Sequence, residues 1–411
     1  MQFKDLHLNK PILKAIVEKN YEKPTLIQEE TIPLILDKKD VIASAQTGTG
    51  KTAAFALPIL QLLFDKQDAS KKGKKIRALI VSPTRELAIQ IDENFKTYGK
   101  YTNLRSTVVY GGASIDPQKE ILKKGVDILI ATPGRLLDLF KQNIVNLANI
   151  ETLVLDEADL MLDMGFIEDV LKIEKSCPKQ KQILLFSATM PNKVVQLANT
   201  ILNNPKMIDV TTSSIVTKSV YQTLYYVPKP KKMELCLHLL RNTIRGSVII
   251  FRRTKFGVDK LEKALLKNNY NVDSIHGDKS QTARQDALKN FKKGTVNILI
   301  ATDVAARGID VKNIDAVINF DLPNLPEIYV HRIGRTGRAG KEGVSYSFCS
   351  ADEKSYVTSI EKLIHKNIFI EENHPYPLDP KAKPEVHKKK GSKHKKGRKS
   401  EASKKKKKRW Y

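Results

Sequence analysis

Three carboxylates crowd the end of an apolar, strand-like run in the stretch LVLDEADLMLDMGF, residues 153–166. Asp156, Glu157 and Asp159 follow one another closely, and carboxylates held this near repel each other, so their charge requires a cation nearby. Carboxylates at the end of a strand can hold Mg²⁺ and can take a proton from a water molecule that attacks a substrate. The plainer interpretation is a helix N-terminus enriched in acidic residues, which the helix dipole favours.

A glycine-rich segment upstream offers both a cation and a place for phosphates. Residues 45–52 read AQTGTGKT and lie between a strand-like run and the helical run TAAFALPILQLLF. In that context the glycines let backbone N–H groups approach a polyphosphate, Lys51 reaches its outer phosphates, and Thr52 offers a hydroxyl to Mg²⁺. The strict pattern has Gly where Ala45 stands, and an ordinary flexible turn is the alternative. The predicted nucleotide-binding residues of this loop are Gln46, Thr47, Gly48, Thr49, Gly50, Lys51 and Thr52.

The glycine-rich loop and the acidic cluster together predict a nucleotide hydrolase. Asp156 would hold the Mg²⁺ ion of the bound nucleotide, and Glu157 would orient and deprotonate the attacking water. The crowding of acidic residues is then tolerated because a divalent cation and Lys51 face it.

A basic stretch in the second half of the chain, HRIGRTGRAG at residues 331–340, has the opposite charge. Its arginines recur at every third residue and alternate with glycines, an arrangement that suits side chains reaching an anion near a closely approaching backbone. We predict that Arg335 and Arg338 act as arginine fingers on a γ-phosphate across a cleft. A basic surface loop that binds RNA is the alternative.

The composition indicates a globular protein with a polyanionic partner. The chain has 411 residues, enough for two or three domains, and 41% of them are hydrophobic. Its formal net charge is +26, of which residues 381–411 carry +14 through 14 Lys and 2 Arg against Glu385 and Glu401. The remaining +12 makes the body of the chain basic as well, which favours nucleic acid as a partner.

Neither a membrane nor an oxidising compartment is expected. No apolar run is long enough to span a bilayer, and the N-terminus MQFKDLHLNK lacks the layout of a signal peptide. Cys177, Cys236 and Cys349 are too widely separated for a disulfide framework or a zinc site, and we expect buried thiols. We therefore predict a cytoplasmic protein.

The order of elements predicts two α/β domains. Between Asp40 and Thr189 six β-rich runs alternate with helical stretches, and five more follow residue 219, which is typical of parallel sheets covered by helices. The polar stretch TTSSIVTKS, residues 211–219, reads as a linker. The string ILIAT occurs once in each half, at residues 128–132 and 298–302, and favours two related domains over chance recurrence. The predicted strands are DVIASA, RALIVSP, STVVYGG, DILIATP, ETLVLDE and KQILLFSAT, then GSVIIF, NVDSIH, VNILIAT, IDAVINF and GVSYSF.

The C-terminal segment differs from the rest in composition. From His374 onward it is rich in Pro and Lys and holds too few apolar residues to offset the entropy of ordering, so we predict that residues 374–411 are disordered. We expect this tail to anchor RNA without sequence preference, and the alternative is a charge run that only improves solubility.

The joint pattern of these motifs resembles the DEAD-box RNA helicases, and within them the bacterial RhlE-type group. The resemblance covers about residues 3–348 and implies an N-terminal RecA-like domain over residues 1–210, a linker, a C-terminal RecA-like domain over 220–373, and the tail. The motifs that carry it, in chain order, are YEKPTLIQ, AQTGTGKT, PTREL, TPGR, DEAD, SAT, ATDVAARGID and HRIGRTGR.

The resemblance implies how the nucleotide is selected and sensed. Gln28 would pair with the adenine edge and Tyr21 would stack on its face, with Phe3 nearby, so that ATP is preferred, and Asp310 would hold the ribose. The residues implied to couple nucleotide state to domain closure through hydrogen bonds are Asp159, Ser187, Thr189 and His331. The catalytic set implied is Lys51, Asp156, Glu157, His331, Arg335 and Arg338.

RNA would lie across both domains. Backbone amides, hydroxyls and arginines suit phosphates and 2′-hydroxyls better than base edges, so binding should be independent of sequence. For PTREL a plainer reading is also open, with Thr84 as a helix N-cap and Arg85 and Glu86 on the helix surface. The implied RNA-binding residues are Thr84, Arg85, Gly111, Gly112, Thr132, Arg135, His276, Gly277, Arg284 and Thr302.

The predicted function is ATP-dependent, local and non-processive unwinding or remodelling of RNA, with ATP and Mg²⁺ as cofactors. We expect a monomer that acts in ribonucleoprotein complexes. One alternative is an ATP-gated RNA clamp that rarely unwinds. Another is a DNA translocase, which should lack the Gln28-centred motif and respond to DNA.

Overall fold

The computed structural model describes residues 1–45, 48–66, 75–210, 220–306, 314–337, 342–379 and 382. Within these ranges the chain forms two sheets of seven strands, each flanked by helices. None of the helices in the described ranges combines the length and apolar character needed to cross a membrane. The predicted linker, residues 211–219, and most of the predicted tail lie outside the described residues.

The first sheet has the strand order β3-β4-β2-β5-β6-β1-β7, and all its pairings are parallel. Its strands are β1 (Val41–Ser44), β2 (Ala78–Val81), β3 (Ser106–Val109), β4 (Ile128–Ala131), β5 (Thr152–Leu155), β6 (Gln182–Ser187) and β7 (Lys206–Asp209). Its helices are α1 (Lys10–Glu18), α2 (Leu26–Leu36), α3 (Lys51–Asp65), α4 (Arg85–Tyr98), α5 (Asp116–Lys123), α6 (Pro133–Lys141), α7 (Ala158–Asp163), α8 (Ile167–Lys175) and α9 (Asn192–Ile201). A short 3₁₀ turn at Phe3–Leu6 precedes them.

The second sheet has the order β10-β11-β9-β12-β13-β8-β14, again all parallel. Its strands are β8 (Val220–Tyr226), β9 (Val248–Phe251), β10 (Val272–Ile275), β11 (Ile298–Ala301), β12 (Ala316–Asn319), β13 (Gly343–Cys349) and β14 (Phe369–Ile370). Its helices are α10 (Lys232–Asn242), α11 (Lys255–Lys267), α12 (Gln281–Lys292), α13 (Asp303–Ala306), α14 (Pro326–Ile333) and α15 (Lys354–Ile364). Two 3₁₀ turns lie at Lys229–Lys231 and Ala351–Glu353.

The two sheets repeat one topology. The two ILIA segments form β4 and β11, which occupy the same place, second from an edge, in their respective orders. All eleven predicted strands are present, and the parallel α/β class is confirmed. The strands that prediction missed are β7, β8 and β14. Of these, β7 and β14 are short edge strands with mostly exposed side chains.

The strands are buried because helices cover both faces of each sheet. In β2, β4 and β5 all four residues are buried and apolar or β-branched, as expected for central parallel strands. Alternate residues of each strand join different core clusters: Val154 packs with the α1–α4 side and Leu153 with the α6–α9 side. The rigid sheets therefore present their carboxyl ends, where polar side chains collect, as a fixed edge.

The folded chain extends further than composition predicted. His374 packs edge-on against Tyr225 with ring centroids 5.4 Å apart, and Tyr376 contacts the same core. The N–H of Leu378 donates to the carbonyl of Tyr226 at 2.9 Å. The prediction of disorder from residue 374 is thus wrong for 374–378, because aromatic side chains pack this segment onto β8 despite its prolines. Residues 380–381 and 383–411 lie outside the described ranges.

The three cysteines, Cys177, Cys236 and Cys349, are free and buried, as predicted. Burial raises the pKa of the Cys236 thiol to about 12, with Arg252 opposing this rise. These thiols therefore stay protonated near neutral pH and serve as small apolar side chains.

Candidate functional site

The acidic cluster and the glycine-rich loop meet at the carboxyl edge of the first sheet. Lys51, the first residue of α3, places its Nζ 2.8 Å from Oε1 of Glu157, which directly follows Asp156 at the end of β5. All three side chains are buried. The Oδ1 of Asp156 accepts a hydrogen bond from the Glu157 N–H at 3.1 Å. The two motifs predicted that Lys51 faces the acidic cluster, and this contact joins residues that are 106 positions apart in the sequence.

The electrostatics of this cluster leave room for more positive charge. Burial raises the pKa of Asp156 to about 7; Lys51 opposes the rise and the Glu157 carboxylate adds to it. For Lys51, burial lowers the pKa, but Glu157 and Asp156 outweigh burial and the net shift is upward. Lys51 therefore keeps its proton near neutral pH, whereas its positive charge does not fully offset the cost of burying the Asp156 carboxylate. A cation or a donor added here would stabilise its charged form.

Glu157 is held in an uncommon backbone conformation. Its φ is +53°, in the left-handed region that side chains other than glycine rarely adopt, and it is the N-cap residue of α7. Strained backbone of this kind concentrates at functional sites. Here it turns the chain sharply from β5 into α7 at the residue that contacts Lys51.

The glycine-rich loop is bound to the segment predicted to read adenine. Gly48 and Gly50 have φ values of +90° and +96°, and the Gly50 carbonyl accepts a bond from Nε2 of Gln28 at 3.2 Å. A Cβ on Gly50 would lie 2.4 Å from that same nitrogen, and the positive φ of this residue is one that other side chains rarely adopt, so glycine is favoured here. Thr52 is partly exposed on the first turn of α3, while Gln46 and Thr47 lie outside the described residues.

The predicted aromatic residues lie together. The rings of Phe3 and Tyr21 are 6.4 Å apart and nearly parallel, and the Tyr21 hydroxyl lies 3.3 Å from that of Tyr98. Burial, followed by the bond to Tyr21, raises the pKa of Tyr98. Prediction missed Tyr98, whose position at the end of an amphipathic helix carries no motif. It supports Tyr21, which is 39% exposed and available for stacking.

Asp159 links the acidic cluster to other elements of the fold. Its Oδ2 accepts bonds from the N–H and the Oγ1 of Thr189 at 2.9 and 2.8 Å, and its N–H donates to Oγ of Ser187 at 3.2 Å. Burial alone would raise the pKa of Asp159, but His331 and Lys51 lower it below its usual range. Because His331 belongs to α14, the cluster is in electrostatic contact with the second half of the chain.

The arginines of HRIGRTGR differ from one another. Arg332 is buried and forms a bidentate ion pair with Asp303, with its Nε 2.5 Å from Oδ1 and its Nη2 2.8 Å from Oδ2. Its Nη1 also donates to Asn319 and to the carbonyl of Asp321. This arginine therefore anchors α14 to the sheet.

Arg335, a predicted arginine finger, is buried just beyond the end of α14, and with His331 it lines the region around Asp303. The other predicted finger, Arg338, lies outside the described residues, as does Asp310, the predicted ribose ligand. The structure therefore places one of the two predicted fingers directly after the helix that carries His331.

A cleft of about 450 Å³ opens between the two halves and collects many predicted RNA-binding residues. Thr84 caps α4 and accepts a bond from the Leu87 N–H, as the plainer reading of PTREL expected. Gly112 has a φ of +72°, and a Cβ there would lie 2.2 Å from the Arg85 guanidinium. The predicted residues that line the cleft are Thr84, Arg85, Gly111, Thr132, Arg135 and Arg284; sequence reasoning missed Glu86, Asp138, Met164 and Phe166.

The cleft is bridged by polar contacts between the halves. Oε1 of Glu86 lies 3.0 Å from Nη2 of Arg284 and accepts a bond from Nε2 of Gln281 at 3.2 Å, while Arg85 donates to Gln281 at 3.4 Å. Burial, with nearby Arg85, lowers the pKa of Arg284 although Glu86 opposes the shift. The expectation of Glu86 on the helix surface is wrong, because the second half of the chain buries it.

Three predicted RNA-binding residues lie apart from the cleft, at the carboxyl edge of the second sheet. His276 and Gly277 follow β10, and Thr302 follows the neighbouring β11. His276 is buried, with Nε2 2.9 Å from Oδ1 of Asp259. A Cβ on Gly277 would meet nothing within 4 Å, so this position is open.

Comparison with known proteins agrees with this geometry. The DEAD/DEAH box helicase family model matches residues 25–197, and the model for the helicase conserved C-terminal domain matches residues 231–340. The ATP-dependent RNA helicase CshA of Limosilactobacillus reuteri is 45% identical over 363 residues, which are 88% of this chain and 72% of that protein. The narrower resemblance to the RhlE-type group stays a prediction.

Solved structures add information on the arrangement of the halves. Dbp5 of S. cerevisiae bound to RNA and ADP BeF3 is similar to this chain with a TM-score of 0.81 and 32% identity, over 90% of this chain and 94% of that one. A variant of Dbp5 bound to Nup159, Gle1, IP6 and ADP has a TM-score of 0.61 at 30% identity, over 88% and 95% of the two chains. The arrangement of the two halves is thus more similar to Dbp5 bound to RNA and ADP BeF3 than to the Dbp5 variant bound to Nup159, Gle1, IP6 and ADP. The chain belongs to the DEAD-box family of ATP-dependent RNA helicases.

Proposed function

We propose that this protein hydrolyses ATP in response to RNA and uses the cycle to separate short duplexes and remodel RNA–protein complexes locally. The observation that carries the proposal is a junction at Asp159. Its carboxylate accepts a hydrogen bond from Thr189, and His331, in the second half of the chain, lowers its pKa. Coupling nucleotide chemistry to movement between two halves requires such a junction. The likeness to relatives named as ATP-dependent RNA helicases supports the same activity.

The loop of residues 48–52 would bind the phosphates of ATP at the N-terminus of α3, where backbone N–H groups are unpaired within the helix. A phosphate there competes with Glu157 for the Lys51 ammonium, which now lies 2.8 Å from the carboxylate. Glu157, released from that ion pair, would act as the general base toward water. Arg335 would supply positive charge to the transferred phosphoryl group when the halves close.

The residues present also fit a magnesium ion. Mg²⁺ in such sites is commonly bound by one or two carboxylates together with substrate phosphates, so no protein cage is needed. The described ranges hold no group of three or more His, Cys, Asp or Glu that could hold a metal ion. Thr52 and Asp156 would hold Mg²⁺, which neutralises phosphate charge. Burial raises the pKa of Asp156 to about 7, and a bound cation would oppose this rise.

Adenine would lie on the Tyr21 ring and pair with Gln28, whose Nε2 already contacts the loop at Gly50. A change in how the base binds would therefore move Gln28 and, through it, the loop that holds the phosphates. Asp310 would hold the ribose by analogy with the family motif. These contacts would give the preference for ATP.

RNA would enter the cleft through its backbone. The hydroxyls of Thr84 and Thr132 and the guanidiniums of Arg85 and Arg135 suit phosphates, and Arg135 retains a buried Nη1 with no partner among the described residues. Gly111 and Gly112 would admit the strand closely, while His276, Gly277 and Thr302 would meet it on the second half. Such contacts read no base sequence.

Closure would be cooperative between the two ligands. ATP and RNA each contact both halves, so each stabilises the closed state in which the other binds better. The Glu86–Arg284 pair would add to this state. Hydrolysis and release of phosphate would then reopen the cleft and free the RNA.

We also propose the working form of the protein. Its first domain would comprise residues 1–210, its linker 211–219 and its second domain 220–378, followed by a basic tail that anchors RNA. We infer a cytoplasmic monomer that acts in ribonucleoprotein complexes, in keeping with three buried, unpaired thiols.

A strand-separation assay tests this function. A short fluorescent RNA duplex with a single-stranded extension should be separated in the presence of ATP and Mg²⁺, and left paired with ADP. RNA retained tightly with ATP but never separated would favour the clamp instead. Separation of the matched DNA duplex at an equal rate would favour a translocase.

A further inference from the structure

The segment after β9, FRRTKF at residues 251–256, carries three cations that are all engaged within the protein. Arg252 lies over the Phe320 ring, 4.1 Å from its centroid, with Nη1 3.4 Å from Asp321. Arg253 donates to the carbonyl of Leu322 at 2.7 Å and to Glu353 at 3.0 Å. These arginines therefore stabilise the fold.

Lys255 likewise forms an ion pair with Asp278, and its Nζ lies 5.3 Å from the centroid of the Phe256 ring. What this segment presents to solvent is the ring itself: Phe256 is 74% exposed on the first turn of α11. A ring exposed to this extent gains little of the stabilisation that burial gives to aromatic side chains. The start of the helix does not depend on the ring, because Oγ1 of Thr254 accepts a hydrogen bond from the Gly257 N–H and caps the helix.

The position of Phe256 indicates what that contact is. The second sheet runs β10-β11-β9, so residues that follow these strands share one edge. His276 and Gly277 follow β10, Thr302 follows β11, and Phe256 follows β9. Asp278, the partner of Lys255, is next to Gly277, which ties the ring to the predicted path of the RNA backbone.

The ring has a counterpart elsewhere in the same domain. Phe369 is 66% exposed but lies on β14, at the opposite end of the strand order. The two phenylalanines are thus similarly exposed in one domain but lie on opposite sides of its sheet order. Phe369 is therefore a matched control for exposure.

We propose that Phe256 stacks on a base of the bound RNA strand, at the part of the strand whose phosphates meet His276, Gly277 and Thr302. The inference rests on the proposed RNA-dependent function and adds a base contact to a site otherwise made of backbone contacts. Aromatic stacking tolerates any base, because every base has a π face. The ring would therefore fix the position of one nucleotide on the second domain without reading its identity.

The test compares the full-length protein with Phe256→Ala, Phe256→Tyr and Phe369→Ala. Affinity for a single-stranded RNA is measured with a non-hydrolysable ATP analogue, using the intact strand and strands lacking one base at each position in turn. Removing one stacking ring should weaken binding on the order of 5- to 100-fold for Phe256→Ala. Phe256→Tyr should retain binding, and Phe369→Ala should match wild type.

The deciding measurement is whether the effect of Phe256→Ala on RNA affinity depends on one particular base of the strand. Wild type should lose affinity when one particular base is absent, and on that strand Phe256→Ala should cost nothing further. Equal affinities of Phe256→Ala and wild type, or a loss that persists on every base-free strand, would overturn the stacking contact. An RNA affinity that does not depend on the Phe256 ring, with the ring needed only to bind a protein partner, would overturn it as well. If wild type shows no RNA-stimulated ATP hydrolysis at all, the proposed function fails rather than this inference.

Discussion

Among the described residues, each half of the molecule holds one lysine–glutamate ion pair with both side chains buried, and the two pairs differ in how completely their hydrogen bonds are satisfied. Lys51 and Glu157 lie 2.8 Å apart with side chains 6% and 9% exposed, and Lys232 and Glu353 lie 2.5 Å apart with 3% and 4% exposed. By distance and burial alone they look alike. The two pairs differ in the number of hydrogen bonds that the surrounding residues supply.

The Lys232–Glu353 pair is saturated. The ammonium donates to the carbonyls of Phe320 and Phe348 as well as to Glu353, which uses all three of its donors. The carboxylate accepts further bonds from Ser350 and Leu322. Buried ions persist when their hydrogen bonds are complete, so this pair serves the fold.

The Lys51–Glu157 pair is not saturated. Among the described residues the Lys51 ammonium donates one hydrogen bond, and two more carboxylates, Asp156 and Asp159, influence it. Acidic charge thus exceeds what Lys51 balances, and donors remain for a phosphate. The Lys51–Glu157 pair therefore keeps donors that a ligand can use, whereas the Lys232–Glu353 pair has none left.

The largest effect we expect is on stability, from the saturated pair. Lys232→Met removes one of the two cations that contact Glu353 and leaves the buried carbonyls of Phe320 and Phe348 without their donor. The change should cost about 3–5 kcal/mol in the free energy of unfolding. Chemical denaturation of wild type and variant measures this cost. Under conditions where the variant is folded, its affinity for ATP should be unchanged. A loss of ATP affinity without a loss of stability would contradict the structural assignment.

Arg335→Ala should act on turnover rather than on the fold. Loss of an arginine finger lowers kcat on the order of 10³-fold, the low end for such residues. RNA-stimulated ATP hydrolysis measures kcat, and thermal melting serves as the control. A loss of only a few fold, with a lowered melting temperature, would make Arg335 a structural arginine like its neighbour Arg332.

Lys51→Ala should weaken ATP binding roughly 10- to 100-fold, the value of hydrogen bonds between a charged donor and a phosphate. Nucleotide titration measures it, with the exposed Lys100→Ala as the control. Unchanged ATP affinity in Lys51→Ala would exclude the phosphate-binding assignment and remove the distinction between the two pairs.

The smallest effect concerns the tail. Deleting residues 381–411 removes a net charge of +14 and should lower RNA affinity a few fold at low salt. The difference should shrink as salt is added, since counterion release drives this binding. Binding curves at several salt concentrations measure it. Equal affinity of the two proteins at low salt would leave the tail a solubilising segment only.

Sequence alone predicted the features that depend on local patterns. Short apolar runs specified the strands, and the order of motifs brought Lys51 to Glu157. Contacts without a local pattern stayed hidden: Lys232 and Glu353 are 121 residues apart and carry no motif. The Glu86–Arg284 contact is of the same kind, because which helix faces meet across the cleft depends on the assembled halves. Composition also misjudged the segment from His374, where packing of aromatic rings outweighs a Pro-rich sequence.

The most direct test of the account is steady-state ATP hydrolysis by wild type and Glu157→Gln, each alone, with an RNA oligonucleotide and with the matched DNA. The account predicts strong stimulation of wild type by RNA only, and a loss of about 10²- to 10⁴-fold in Glu157→Gln, the range for a general base. The variant should still bind ATP and RNA together. Near-normal turnover of Glu157→Gln, or equal stimulation of wild type by DNA, would contradict it.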